Sequence, residues 1–242
     1  MQKPRGWDKS FVCGKNRFGY KESRIKAEVE ELFVLVPYIL RGLSVTLEVT
    51  AVALGTGLFF GSILAILRVY GGRLLSGILT IYTSIIRSLP HILLLLIIYF
   101  LIARIINLSP FWAGALSLAI ISSVYQSEII RGAILSVPPG QMMAARSIGM
   151  STTQAIWHVI IPQALRHVIP PWSNEASIVI KDSSLVYVLG VPEILRQAQY
   201  YSAREYKPFL AYITVAAIYF LLTFLTNRGL GALERKLRIP GF

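Results

Sequence analysis

The residues equipped to do chemistry lie inside stretches that are otherwise apolar. Ser122, Tyr125 and Gln126 recur at i, i+3 and i+4, a spacing that puts three polar side chains on one face of a helix. Glu128 and Arg131 follow at i, i+3, close enough on a helix surface to form an ion pair. Further along, Asn174 and Lys181 share a face at i+7, as do Glu175 and Asp182, and Ser177 lies between them in sequence. Ionisable groups in membrane segments are costly and turn toward a bundle interior or a water-filled path. Tyr125, Gln126, Asn174, Glu175 and Ser177 are therefore candidates to line a pathway between two helices. Glu128–Arg131 and Lys181–Asp182 are candidate structural pairs or gates. Pro170-Pro171 should break the second of these helices and leave a fresh amino terminus whose N–H groups suit a carboxylate. Acidic groups near such a path favour cationic solutes, whereas Lys181 and Arg87 could serve anionic ones.

Covalent chemistry finds little support. Cys13-Gly14-Lys15-Asn16 looks like the end of a phosphate-binding loop, but Lys9 stands at its first glycine position and Asn16 at its Ser/Thr position. The histidines His91, His158 and His167 lack metal-ligand spacing, and the single cysteine, Cys13, excludes an internal disulfide. No enzyme, metal site or cofactor held by the chain itself is expected.

The elements that must position these residues are membrane segments. Hydrophobic residues make up 55% of the 242 and charged ones only 15%, a balance too apolar for a soluble domain of this size. The net charge of +12 sits at the amino end and between apolar stretches, as charges flanking membrane spans do, and does not point to nucleic acid. Residues 1–31 form a polar extension, in which Glu22 to Glu31 could make a short surface helix. Five spans are expected after it. The first covers Val49–Leu67 and begins near Arg41 or Ser44, with Gly57 and Gly61 at a small-xxx-small spacing that permits close helix approach. The second is a long, kinked span over Leu74–Ala103, and the third runs Phe111–Ile134. The fourth, Val168–Leu189, is the polar one, and Pro208–Asn227 is the fifth.

Between the third and fourth spans lies a loop of small and polar residues, 136–162. Pro138, Pro139 and Gly140 should end the preceding helix. Met142 to Ile148 should form a short helix stopped by Gly149 in a left-handed conformation. Ser151 can cap a second short helix, with Gln154 as its capping-box partner. Two short helices at a corner make a compact knob able to dock in a groove.

This loop resembles the EAA loop of ABC-importer permeases: Ala144, Ala145, Gly149, Val159 and Pro162 fall in register with that family's pattern, and Met143 stands where the pattern has Glu. Residues 36–235 are similar to the polar amino acid branch of the family (histidine, glutamate, glutamine, arginine and opine type). The likeness is carried also by Ile86-Arg87-Ser88-Leu89-Pro90, Tyr125-Gln126-Ser127-Glu128-Ile129-Ile130-Arg131-Gly132 and Lys181-Asp182-Ser183-Ser184-Leu185. The resemblance implies an all-α membrane protein of the MetI-like, type I importer class. It implies a second permease subunit, identical or homologous, two cytoplasmic ATPase subunits that bind ATP and Mg, and an external substrate-binding protein. Gly140, Ala144, Ala145, Arg146, Gly149 and Pro162 would then couple the chain to its ATPase. Such a chain sits in a prokaryotic inner membrane. With the loop cytoplasmic, five spans place the amino end outside and the tail 236–242 inside. The basic tail obeys the positive-inside rule, and the basic amino end runs against it. The competing readings are a secondary transporter driven by an ion gradient, for which the loop would be idle, and a membrane-integral enzyme, which would need a catalytic cluster at one surface.

Overall fold

The computed structural model describes residues 29–237, which are helical almost throughout and contain no strand. Most of the expected surface helix at 22–31 lies outside these residues. Helix α1 (residues 29–40) leads through a tight turn at Arg41-Gly42 into α2 (Leu43–Tyr70). Helix α2 thus begins near Arg41 and Ser44, where the first span was expected to begin, and α1 carries the helical unit further back, to residue 29. The added turns are retained because Leu35 and Ile39 pack fully buried against Ile194, Ala198 and Tyr201, giving α1 a core of its own.

Helix α3 (Gly72–Ser88) and the helix beginning at His91 were expected as one kinked span, and they meet instead at 103°. Pro90 supplies the corner: the residue before a proline is driven out of the helical region, and Leu89 is extended at φ −85°, ψ 138°. The second arm comprises α4 (His91–Ile97), a widened π turn (Ile98–Ala103) and α5 (Arg104–Ile106), closed by Asn107 in the left-handed region. Helix α6 (Pro110–Ser136) starts with Ser109 as its cap and Pro110 at its first position, a favoured opening.

Helices α2 and α6 form the tightest pair. A Cβ added at Gly57 would stand 2.7 Å from Gln126 Nε2, and one at Gly61 would stand 2.7 Å from the Ser123 carbonyl oxygen, so only glycine allows this approach. The small-residue spacing in the sequence is borne out as a packing device.

After α6 come α7 (Pro139–Ser147), α8 (Thr152–Ala155) and a π turn (Ile156–Ile160) that runs directly into α9 (Ile161–Asp182). The expected break at Pro170-Pro171 does not occur. Both prolines lie inside α9, and no new amino terminus is freed there. The carbonyls deprived of partners belong to Arg166 and His167, which are exposed residues, and neighbouring packing holds the helix through the gap. A 3-10 segment (Ser183–Leu189), α10 (Ile194–Glu205) and α11 (Pro208–Leu237) complete the bundle.

The five expected hydrophobic segments correspond to α2, α3 to α5, α6, α9 and α11. By length and composition, three of the helices among the described residues can cross a membrane, or up to four if the bent pair counts as one span. Helix α9 is not among them; it packs between α6 and α11, with Glu175 and Ser177 buried and Asn174 and Lys181 exposed.

Candidate functional site

Helix α6 presents its polar stripe to α9, and the stripe divides into two parts. The first is a knot around Gln126, which has no exposed surface. Its amide nitrogen donates to the Leu54 carbonyl of α2 (3.2 Å) and to Ser122 Oγ (2.9 Å), and its oxygen accepts from the Trp172 indole of α9 (2.8 Å). One side chain thereby ties three helices together. Gln126 does not line the cavity described next.

The second part is a cavity of about 110 Å³ bounded by α4, α6 and α9. Its polar wall is His91, Ser122, Tyr125, Glu175 and Asp182, and Leu118 and Ile121 contribute apolar surface. Glu175 is 5% exposed and accepts a hydrogen bond from Ser122 Oγ at 3.1 Å. Asp182 Oδ2 lies 3.0 Å from His91 Nδ1. The His91 ring meets Tyr125 edge-on, with centroids 5.9 Å apart.

Of the five pathway candidates, Tyr125 and Glu175 reach this cavity and three do not. Gln126 is consumed in its knot. Asn174 is exposed, about 100° around α9 from the buried Glu175. Ser177 is buried and donates to Asn227 Oδ1 of α11 at 2.6 Å. Lys181 and Asp182 do not pair: Lys181 is exposed on the Asn174 side, and Asp182 turns inward to His91. Adjacent residues of a helix point about 100° apart, which is why the pair fails. His91 and Ser122 are the cavity residues that sequence reasoning left without a role there. For His91 the available signal was its place immediately after Pro90, at a forced corner between helices.

Glu128 and Arg131 do pair, as their spacing indicated, at 2.9 and 3.0 Å. Arg68 of α2 joins them, with Nη1 2.7 Å from Glu128 Oε1, and is itself buried. Arg87 stands further off, at 3.7 Å from the same oxygen.

The loop forms the knob read from the sequence. Gly149 has φ +90°, and the Met150 and Gly149 amides donate to the Ala145 and Arg146 carbonyls, both at 3.1 Å, which closes α7 in a Schellman motif. Ser151 and Gln154 make both bonds of a capping box, at 2.8 and 3.2 Å. Ala145 is buried beneath the knob. Gly140, Ala144 and Arg146 are exposed, and Pro162 sits in the first turn of α9. Met143, Ile148 and Trp157 leave a large apolar surface uncovered, 64%, 76% and 59% exposed respectively.

Residues 57–239 match the family described as the inner membrane component of binding-protein-dependent transport systems. The chain belongs to that family. This permease is 33% identical over 207 residues to the glutamine transport system permease protein GlnP of Escherichia coli (strain K12), covering 84% of this chain and 94% of that one. Its structure resembles the crystal structure of an amino acid ABC transporter with histidines, at a TM-score of 0.78 and 35% identity over 86% of this chain and 97% of that one. It shares its fold also with the MetNI methionine ABC transporter in an inward-facing conformation, at a TM-score of 0.74 and 22% identity over 87% and 99% of the two chains. The family is one of transport components, so the permease is a multi-pass inner-membrane protein and not an enzyme.

Proposed function

We propose that this permease carries a polar amino acid across the inner membrane in a complex driven by a separate ATPase. The observation that supports this most directly is the buried carboxylate of Glu175 facing a polar cavity between α4, α6 and α9. A carboxylate held at this depth is expensive unless a cation visits it, and every α-amino acid brings an ammonium group. The relatives, named for glutamine and for an amino acid ABC transporter with histidines, favour the same substrate class. The cavity as it stands is small for an amino acid, so it would widen when the helices around it move. The residues for the amino group are Glu175 and Tyr125, with Ser122, His91 and Asp182 completing the wall.

The knob formed by α7 and α8 is the ATPase contact, with Gly140, Ala144, Arg146 and Gly149 on its exposed side, Ala145 buried beneath it, and Pro162 exposed at the start of α9. Its uncovered Met143, Ile148 and Trp157 supply apolar area for a protein partner. The full machine would contain a second permease subunit, two ATPase subunits that bind ATP and Mg, and an external binding protein. Uptake of labelled amino acid into proteoliposomes tests this. It should require ATP and stop when the ATPase is omitted, whereas uptake driven by an ion gradient without the ATPase would overturn the proposal.

In this arrangement the knob and the carboxyl tail lie in the cytoplasm, and the amino end lies outside. Cysteines placed at Ser136 and Arg235 should react with an impermeant thiol reagent only after cells are lysed, and one at Ser10 should react before. Labelling of Ser10→Cys and Arg235→Cys from the same side would mean an even number of spans.

A further inference from the structure

Arg87 is the least engaged guanidinium of its cluster. Glu128 is already occupied on both oxygens, Oε1 by Arg68 at 2.7 Å and Oε2 by Arg131 at 2.9 and 3.0 Å. Arg87 is the third guanidinium around one carboxylate; it stands 3.7 Å from Oε1 with its side chain 46% exposed. The cluster therefore holds two positive charges in excess of its acid, and the donors of Arg87 are largely unspent. Its position is set by the fold: it lies in the last turn of α3, immediately before the 103° corner that brings His91 to the cavity. The guanidinium carbon lies 5.4 Å from the centroid of the Tyr125 ring, and that ring is itself part of the cavity wall. Arg87 thus packs against a residue of the cavity wall, although it does not itself line the cavity.

We propose that Arg87 is the anchor for the α-carboxylate of the transported amino acid, a role that rests on the reading of the cavity as the substrate site. Glu175 and Asp182 repel a carboxylate, so a zwitterion with its ammonium group at Glu175 must turn its acid end away from them. The Tyr125 side is where a guanidinium with free donors waits, and its planar fork matches a carboxylate in two parallel hydrogen bonds. Glu128 cannot compete strongly for Arg87 because Arg68 and Arg131 already satisfy it.

The test removes the carboxylate from the ligand and the guanidinium from the protein. The permease–ATPase complex, in phosphatidylcholine nanodiscs without binding protein, is titrated with L-arginine and L-glutamine, each compared with its own α-amide. The parent amino acid should bind more tightly than its amide by roughly 10- to 150-fold, the range for a hydrogen bond to a charged group. Arg87→Gln should bring that ratio close to one and leave affinity for the amide nearly unchanged. Arg87→Lys, which keeps the charge and loses the fork, should retain part of the ratio. A purely structural role for Arg87 would lower both affinities together and preserve the ratio, which overturns the proposal. Equal binding of acid and amide by the unaltered complex overturns it without any variant. If neither amino acid binds, or if Glu175→Gln leaves binding intact, the cavity reading itself falls and takes the anchor with it. Arginine binding that depends on Glu175 but shows no change of ratio in Arg87→Gln rejects the anchor alone.

Discussion

Gln126 and Glu175 are joined through a single hydroxyl, that of Ser122, yet they sit in opposite kinds of surroundings. Around Gln126 the amide oxygen and nitrogen both have partners, on α2, α6 and α9, and the side chain has no exposed surface. Around Glu175 the Ser122 bond serves one oxygen, and a cavity opens next to it. A buried polar group whose partners are all present rigidifies the core that contains it. A buried charged group beside an open space keeps capacity for something that arrives. The two cases cannot be told apart by residue type or by burial, since both are polar and both are nearly inaccessible. They are told apart by how much of the bonding capacity is already spent.

That contrast can be broken experimentally. Glu175→Gln carries the larger expected effect. Losing a hydrogen bond to a charged group should cost on the order of 1.5–3 kcal/mol in substrate binding, or roughly 10- to 150-fold in affinity. Uptake normalised to folded complex should fall further for cationic amino acids than for neutral ones. Equal losses across substrates would place Glu175 in the same structural class as Gln126. For Gln126→Leu the damage should appear in stability. The Trp172 indole N–H loses its acceptor, at a cost of about 1–3 kcal/mol, so less complex should survive solubilisation and heating. Each surviving complex should transport all its substrates in unchanged proportion. A change in substrate preference in that variant would move Gln126 into the pathway.

The legible parts of the molecule were those governed by neighbours in sequence. The stop at Gly149, the Ser151–Gln154 capping box and the Glu128–Arg131 pair span at most six residues each, and short-range rules determine them. Gly57 and Gly61 were legible because their four-residue spacing puts two absent side chains on one face. The pairing of His91 with Asp182, 91 residues apart, and of Arg68 with Glu128, 60 apart, required the tertiary fold. Pro170-Pro171 misled because local propensity opposes a helix there, and packing between α6 and α11 outweighed it. The cavity combined both situations. Its Glu175 was marked by charge in an apolar stretch, whereas His91 came into it only through the corner at Pro90.

The polarity of α9 has a consequence for how the chain is made. Three of its polar side chains bond to other helices: Glu175 to α6, Asp182 to α4 and Ser177 to α11. Taken alone, α9 lacks the apolar length that commits a segment to lipid, and charged residues at the centre of an inserting helix oppose membrane partition. Two of its partners are synthesised before it, but Asn227 leaves the ribosome some 50 residues after Ser177. During translation α9 must therefore lodge against α4 and α6 while the chain is still growing, and the arrival of α11 fixes it in place. Membrane insertion of this protein is in that sense an assembly reaction, completed by its final helix.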